Sequence, residues 1–138
     1  MLAVDGSEGS ARAATVAFEV SEMTKSKLFI VHVIPTPVVK QFSLMSDVNA
    51  GEVLAKYEAK GKVLLEGYKG AAEDYKLDVE LILEKGSPSE RIIAKAKELE
   101  VDLVVIGSEG ADGQLRSGVG SSAERVVFGS STPVLVVK

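Results

Sequence analysis

Gly107, Gly110, Gly120 and Ser121 carry the chemistry-bearing spacing of this chain: Gly107-Ser108-Glu109-Gly110, nine further residues, then Gly120-Ser121. The pattern stands directly behind the apolar run Val101-Asp102-Leu103-Val104-Val105-Ile106. A buried strand entering a glycine-rich loop that then enters a helix presents main-chain N–H groups and a positive helix end to an anion. Glycine lets a phosphate approach the backbone, and loops of this kind use positive φ. The expected ligand is a nucleotide phosphate. Ser121 falls at the helix start, where its hydroxyl either caps the helix or bonds a phosphate oxygen, and Ser122 has the same option. Arg116 is the one cation of the loop and reads more readily as solvated than as a phosphate clamp.

A second constellation, Asp5-Gly6-Ser7, closes the first short apolar stretch. Asp5 could accept hydrogen bonds from a base or ribose, help hold a magnesium ion, or cap the following helix. Other motifs fail on context. Gly118 to Ala123 spells G-x-G-x-x-A, but it follows the fourth strand, with no ribose-binding acid placed after it. No G-x-x-x-x-G-K-[ST] exists. His32, the single histidine, sits on an apolar strand and reads as a satisfied core residue, and no G-x-S-x-G elbow supplies it a nucleophile. No catalytic residue is assigned. With one histidine and no cysteine, a His/Cys metal site is excluded in number, and whether a metal accompanies the phosphates stays open.

The elements that must position these residues alternate. Strands are expected at Leu2 to Val4, Leu28 to Ile34, Leu77 to Leu83, Leu103 to Ile106 and Val134 to Val137. The second hardly alternates and should be buried on both faces, whereas the third alternates at its start, as an edge strand does. Ala11, Ala14, Phe18 and Ser21 share a face of the first helix, and Leu54 through Tyr75 form a long stripe on the second. Ser87-Pro88-Ser89-Glu90 opens the third as a capping box with proline at its first position. The fourth runs from about Ser121 to Phe128. Pro35 to Asn49 is expected to be an irregular connection, since Pro35 and Pro37 stop the second strand; its apolar Phe42, Leu44 and Met45 could lid the site or contact a partner, and packing over the core is the favoured reading.

This β-α-β-α order predicts a five-stranded parallel, doubly wound sheet of order 3-2-1-4-5, flavodoxin-like, with helices on both faces. In that order the chain reverses between strands 1 and 4, and ligands bind at their carboxyl ends. Asp5 and Gly107 end those two strands, so both constellations fall on one crevice.

The bulk numbers agree with a single domain over residues 1–138. The net charge of −4 offers no basic footprint for nucleic acid. No apolar run approaches the roughly eighteen residues of a membrane span. No signal-peptide pattern opens the chain, so a cytoplasmic setting is expected.

Val4-Asp5-Gly6-Ser7, His32-Val33-Ile34, Gly86-Ser87-Pro88, the run Val101 to Gly107 and the ending Thr132 to Val137 together resemble a universal stress protein, over essentially the whole chain. The nucleotide-binding members of that family, of adenine nucleotide alpha hydrolase-like fold, carry G-x2-G-x9-G-[ST]. Here it is complete as Gly107, Gly110, Gly120 and Ser121. The resemblance implies ATP between Asp5–Gly6 and the glycine loop, with adenine met by main chain near Val33. It also implies a homodimer paired through the last strand, an unidentified protein partner, and a nucleotide-dependent switch in a stress response with slow hydrolysis at most. Two departures are visible. The stretch Gln114 to Val119 is less apolar than in the family, and the first strand is shorter. The rival readings are an AMP or adenine-nucleotide module without switching, and an adenine-nucleotide-dependent enzyme of the same fold. A response-regulator-like phosphoacceptor lacks its acidic cluster.

Overall fold

The computed structural model describes residues 1–109 and 120–138. Its elements are β1 (Leu2–Ala3), α1 (Glu8–Thr24), β2 (Leu28–Pro35), α2 (Thr36–Ser46), α3 (Ala50–Ala72) with a 3-10 turn at Glu73–Tyr75, β3 (Val79–Gly86), α4 (Pro88–Glu98), β4 (Val104–Gly107), α5 (Ser121–Gly129) and β5 (Val134–Val137). The five strands form one sheet of order β3-β2-β1-β4-β5, with every pair parallel. That is the expected doubly wound order, and it places the carboxyl ends of β1 and β4 side by side.

Alternation along the strands builds the two layers. Leu2, Val4, Leu28, Ile30 and Val105 face α1 and α3, where Ala13, Ala14, Ala17, Phe18 and Leu65 cover them. Met1, Ala3, Val31, Val33, Val104 and Ile106 face the other way, onto Ile92 and Ala96 of α4 and Ala123 and Val126 of α5. Small residues on α1 let its axis approach β4 closely. Phe18 closes the far end of that layer against the Tyr75 ring, centroid to centroid 5.3 Å.

Pro35 to Asn49 differs from expectation. Most of it is helix α2, with proline in the first turn, where the missing N–H costs no hydrogen bond and the fixed φ suits helix. Val39 anchors it against Ile34 and Val53. Val38, Phe42, Leu44 and Met45 stay exposed. Pro35 does end β2, so the prolines stop the strand and start the helix at once. The capping box at Ser87 is only half realised. Ser87 is the N-cap and Pro88 opens α4, but the Ser87 side chain makes no cap bond.

The β3 edge is fastened to α4 by charge. Glu84 takes Lys95 Nζ at 2.8 Å and Arg91 Nη2 at 3.3 Å. The hydrogen bond from Lys95, with the charges of Lys95 and Arg91, holds the Glu84 carboxyl below the usual carboxylate range. A carboxyl whose folded pKa lies below its unfolded value stabilises the fold above the unfolded value. That contribution is lost as pH falls through the folded value. Glu84→Gln should therefore lower the urea midpoint at neutral pH and match the wild type once pH drops well below 4.5. A constant gap between the two proteins across that range would refute the assignment.

Candidate functional site at the β1/β4 crevice

At the end of β1 the chain turns through Gly6, whose φ of 84° is open to glycine and strained for other residues. The turn is organised around one carboxylate oxygen. Asp5 Oδ1 accepts from Ser7 N at 3.0 Å, Ser7 Oγ at 2.5 Å and Ser10 Oγ at 2.6 Å. Ser10 Oγ in turn accepts from Asp5 N at 2.9 Å. Ser7 is the N-cap of α1 and accepts from Ser10 N. Asp5 therefore shapes the turn, and Ser7 caps the helix. The Asp5 side chain is exposed, and its charge reaches Tyr68 of α3. Burial, and then that carboxylate, push the Tyr68 hydroxyl above the usual phenol range. Leu64, one turn earlier on α3, stands 3.9 Å from where a Cβ on Gly6 would be.

At the end of β4, Gly107 meets α1. A Cβ on Gly107 would lie 2.6 Å from the carbonyl carbon and oxygen of Gly9, and a Cβ on Gly9 would lie 2.5 Å from Glu109 O. The missing side chain is thus used for helix packing. The φ of Gly107 is not positive, and that of Gly120 is −60°, so the expected use of positive φ is met in the crevice at Gly6 alone among the described glycines. The backbone approach of α1, rather than local curvature, sets the residue type. Glu109 is held in place by Arg12, whose Nη2 lies 3.1 Å from Oε2, and its carbonyl oxygen stands 3.3 Å from Ser7 Oγ.

The other side of the crevice is the start of α5. Gly120 is its N-cap, and its N–H donates to Ser108 O, at 2.5 Å. Ser108, buried, donates its own N–H to Val137 O at 2.8 Å, which ties the loop to β5. Ser121 and Ser122 form the exposed first turn of α5, and no side chain caps it. The amides of a first turn have no partner within the helix. Val33 is buried near the end of β2. Gly110, together with Arg116, lies outside the described residues.

The structure therefore joins Asp5, Gly6 and Gly107 through α1, joins Gly120 and Ser121 to the same loop through Ser108, and places Val33 on the adjacent strand. Sequence reasoning missed Ser10, Arg12 and Tyr68. Ser10 was readable as the third residue after Ser7, at cap spacing, but the other two meet the site only through helix packing. No group of three or more His, Asp or Glu is close enough to hold a metal among the described residues. A hollow of about 580 Å³ lies along α5, lined by Ser121, Glu124, Arg125, Phe128 and Gly129.

A parallel sheet of this order, with helices on both faces and an acidic turn ending β1, defines a doubly wound α/β protein. The universal stress protein family model matches residues 1–138, and the chain belongs to that family. It is similar to universal stress protein YxiE of Bacillus subtilis, 32% identical over 143 residues that cover all of this chain and 97% of that one. Among solved structures it is similar to universal stress protein UspA from Lactobacillus plantarum, with TM-score 0.85, 22% identity, and 99% and 94% of the two chains covered. A universal stress protein from Archaeoglobus fulgidus in complex with dAMP shares the fold at TM-score 0.73 and 22% identity, with 99% of this chain and 94% of that chain covered.

Proposed function

We infer that the protein binds ATP in the β1/β4 crevice and acts as a nucleotide-dependent switch in a stress response. The carrying observation is the convergence of the Asp5 turn, the Gly107–Glu109 segment and the uncapped first turn of α5 on one crevice. In this reading the first-turn amides and the Ser121 and Ser122 hydroxyls hold phosphate, as helix N-termini do. Asp5 and Gly6 border the ribose, and the Val33 main chain meets adenine. The donor set suits an anion, and any Mg²⁺ would be held chiefly by the phosphates, with Asp5 a carboxylate at the crevice. No lysine lies between Gly107 and Ser121, which favours holding over fast hydrolysis. The dAMP held by the Archaeoglobus fulgidus protein agrees with an adenine nucleotide.

A homodimer through β5, a cytoplasmic setting and a protein partner for the switch belong to the same reading. β5 is an edge strand, Leu135 on it is partly exposed, and Phe128 on the neighbouring α5 is 84% exposed. An uncovered apolar edge invites strand pairing with a second copy.

Titration calorimetry with ATP, ADP and AMP tests the site. Stepwise loss of affinity as phosphates are removed is expected, and equal affinity for AMP would select the module without switching. Gly120→Val should weaken ATP binding by roughly a hundredfold or more, because its side chain would occupy phosphate space. The backbone at residue 120, with φ −60° and ψ 156°, accepts valine without strain, so the fold should survive. Unchanged ATP affinity in this variant would defeat the site.

A further inference from the structure

His32 is the one titratable residue of β2, it packs under α3, and the nucleotide reading leaves it without a role. The β1–β2 ladder shows what it does. Ala3 pairs with Val31, and Val4 N donates to Val31 O at 2.9 Å, which completes that rung. In a parallel ladder the next bond would run from Val33 N–H to Val4 O. The β1 ladder stops at Ala3, and that bond is absent among the described residues. Val4 O is taken instead by His32 Nδ1 at 2.8 Å. A carbonyl only accepts, so Nδ1 carries the proton.

The ring is fixed in this post by α3. A Cβ on Gly61 would lie 3.0 Å from His32 Cδ2 and 2.9 Å from Leu83 Cδ1, so the helix covers the ring only because residue 61 is glycine. Meanwhile Val33 is 6% exposed. Main-chain donors at such depth are nearly always paired. Strand alternation turns Val33 N–H toward the space beyond the end of β1, next to Asp5. A carbonyl can accept twice, but Val4 O is drawn to the His32 ring and makes no bond to Val33 N–H, which leaves that donor available to a ligand acceptor.

We propose that His32 is a positioning residue: by holding the Val4 carbonyl toward its ring through Nδ1–H it keeps that carbonyl from Val33 N–H, which is left to bond a ring nitrogen of adenine. The proposal rests on the nucleotide reading above and deepens it, because it names what selects the base. An N–H and C=O from one residue match the acceptor and amino donor on adenine's pairing edge. Guanine presents the opposite order there, with a ring N–H beside a carbonyl, so ATP is favoured over GTP.

The test uses the full chain, isotopically labelled, by NMR, with ATP and GTP titrations alongside. In the wild type without nucleotide, the Val33 amide should exchange faster than that of Val31, and ATP should slow it. His32→Leu removes the competing donor, so the Val33–Val4 rung closes, Val33 becomes protected without nucleotide, and the preference for ATP over GTP falls about tenfold, the scale of one hydrogen bond. His32→Gln, which keeps a donor, should restore part of that preference. Equal protection of Val33 and Val31 in the unliganded wild type, or an unchanged ATP:GTP ratio in His32→Leu, would overturn the proposal. A wild type that binds neither nucleotide, yet shows an open Val33 amide and the His32 Nδ1–H signal, would instead overturn the nucleotide reading and leave the ladder substitution standing.

Discussion

Gly107→Ala is expected to destabilise the protein by about 3 kcal/mol, near the top of the range for overpacking a well-packed site. The new Cβ would lie 2.6 Å from the carbonyl carbon and oxygen of Gly9 and 3.1 Å from its Cα. These are backbone atoms in the first turn of α1, so no side-chain rotation can relieve the contact. Either α1 lifts from β4 or the end of β4 bends away. Both movements would also pull apart the Ser7–Glu109 and Arg12–Glu109 contacts that join the two walls of the crevice. Urea unfolding reads the loss directly. Gly9→Ala attacks the same interface from the other side, at 2.5 Å from Glu109 O. The double variant should therefore cost less than the sum of the two single variants, since either one already opens the contact. A stability change under 1 kcal/mol for Gly107→Ala would show that α1 is not held this tightly.

Asp5→Ala is the second large effect, and its value lies in the contrast with Asp5→Asn. Removing the carboxylate takes the acceptor from Ser7 N, Ser7 Oγ and Ser10 Oγ together. Ser10 is buried, and a buried hydroxyl left without its acceptor costs roughly 1–3 kcal/mol. We expect Asp5→Ala to lose about 2 kcal/mol of stability and at least tenfold in ATP affinity. Asparagine keeps an acceptor oxygen at the same place, so Asp5→Asn should hold most of the stability. If it binds ATP weakly while unfolding like the wild type, the carboxylate acts on the ligand as well as on the turn. If Asp5→Ala unfolds at the wild-type urea concentration, the three bonds do not organise the α1 entry.

Much of the architecture was legible in residue patterns because the layers of a parallel sheet write themselves along the chain. The nearly continuous apolar run of β2, broken by His32 alone before Pro35, and the partial alternation of β3 distinguish an inner strand from an edge strand. The two sheet faces followed from the same two-residue period. Boundaries slipped where local chemistry was ambiguous: Leu77 packs on the core yet stands outside β3, which begins at Val79. Pro35 and Pro37 were readable as a stop but not as a start. A proline in a first turn looks the same in sequence as one in a loop, and only the burial of Val39 against Ile34 and Val53 favours helix.

By itself the sequence determined the strand order, the switch point, and the convergence of Asp5–Gly6 with Gly107 and Gly120–Ser121 upon it, because alternation and connection rules act over short stretches of chain. Only the tertiary structure decided what those residues touch. That Gly107 is reserved for the backbone of Gly9, that Arg12 grips Glu109 from 97 residues away, and that His32 replaces a rung of the ladder all depend on distances between elements. Those distances are set by packing of whole helices on the sheet, and no local pattern of residue types encodes them.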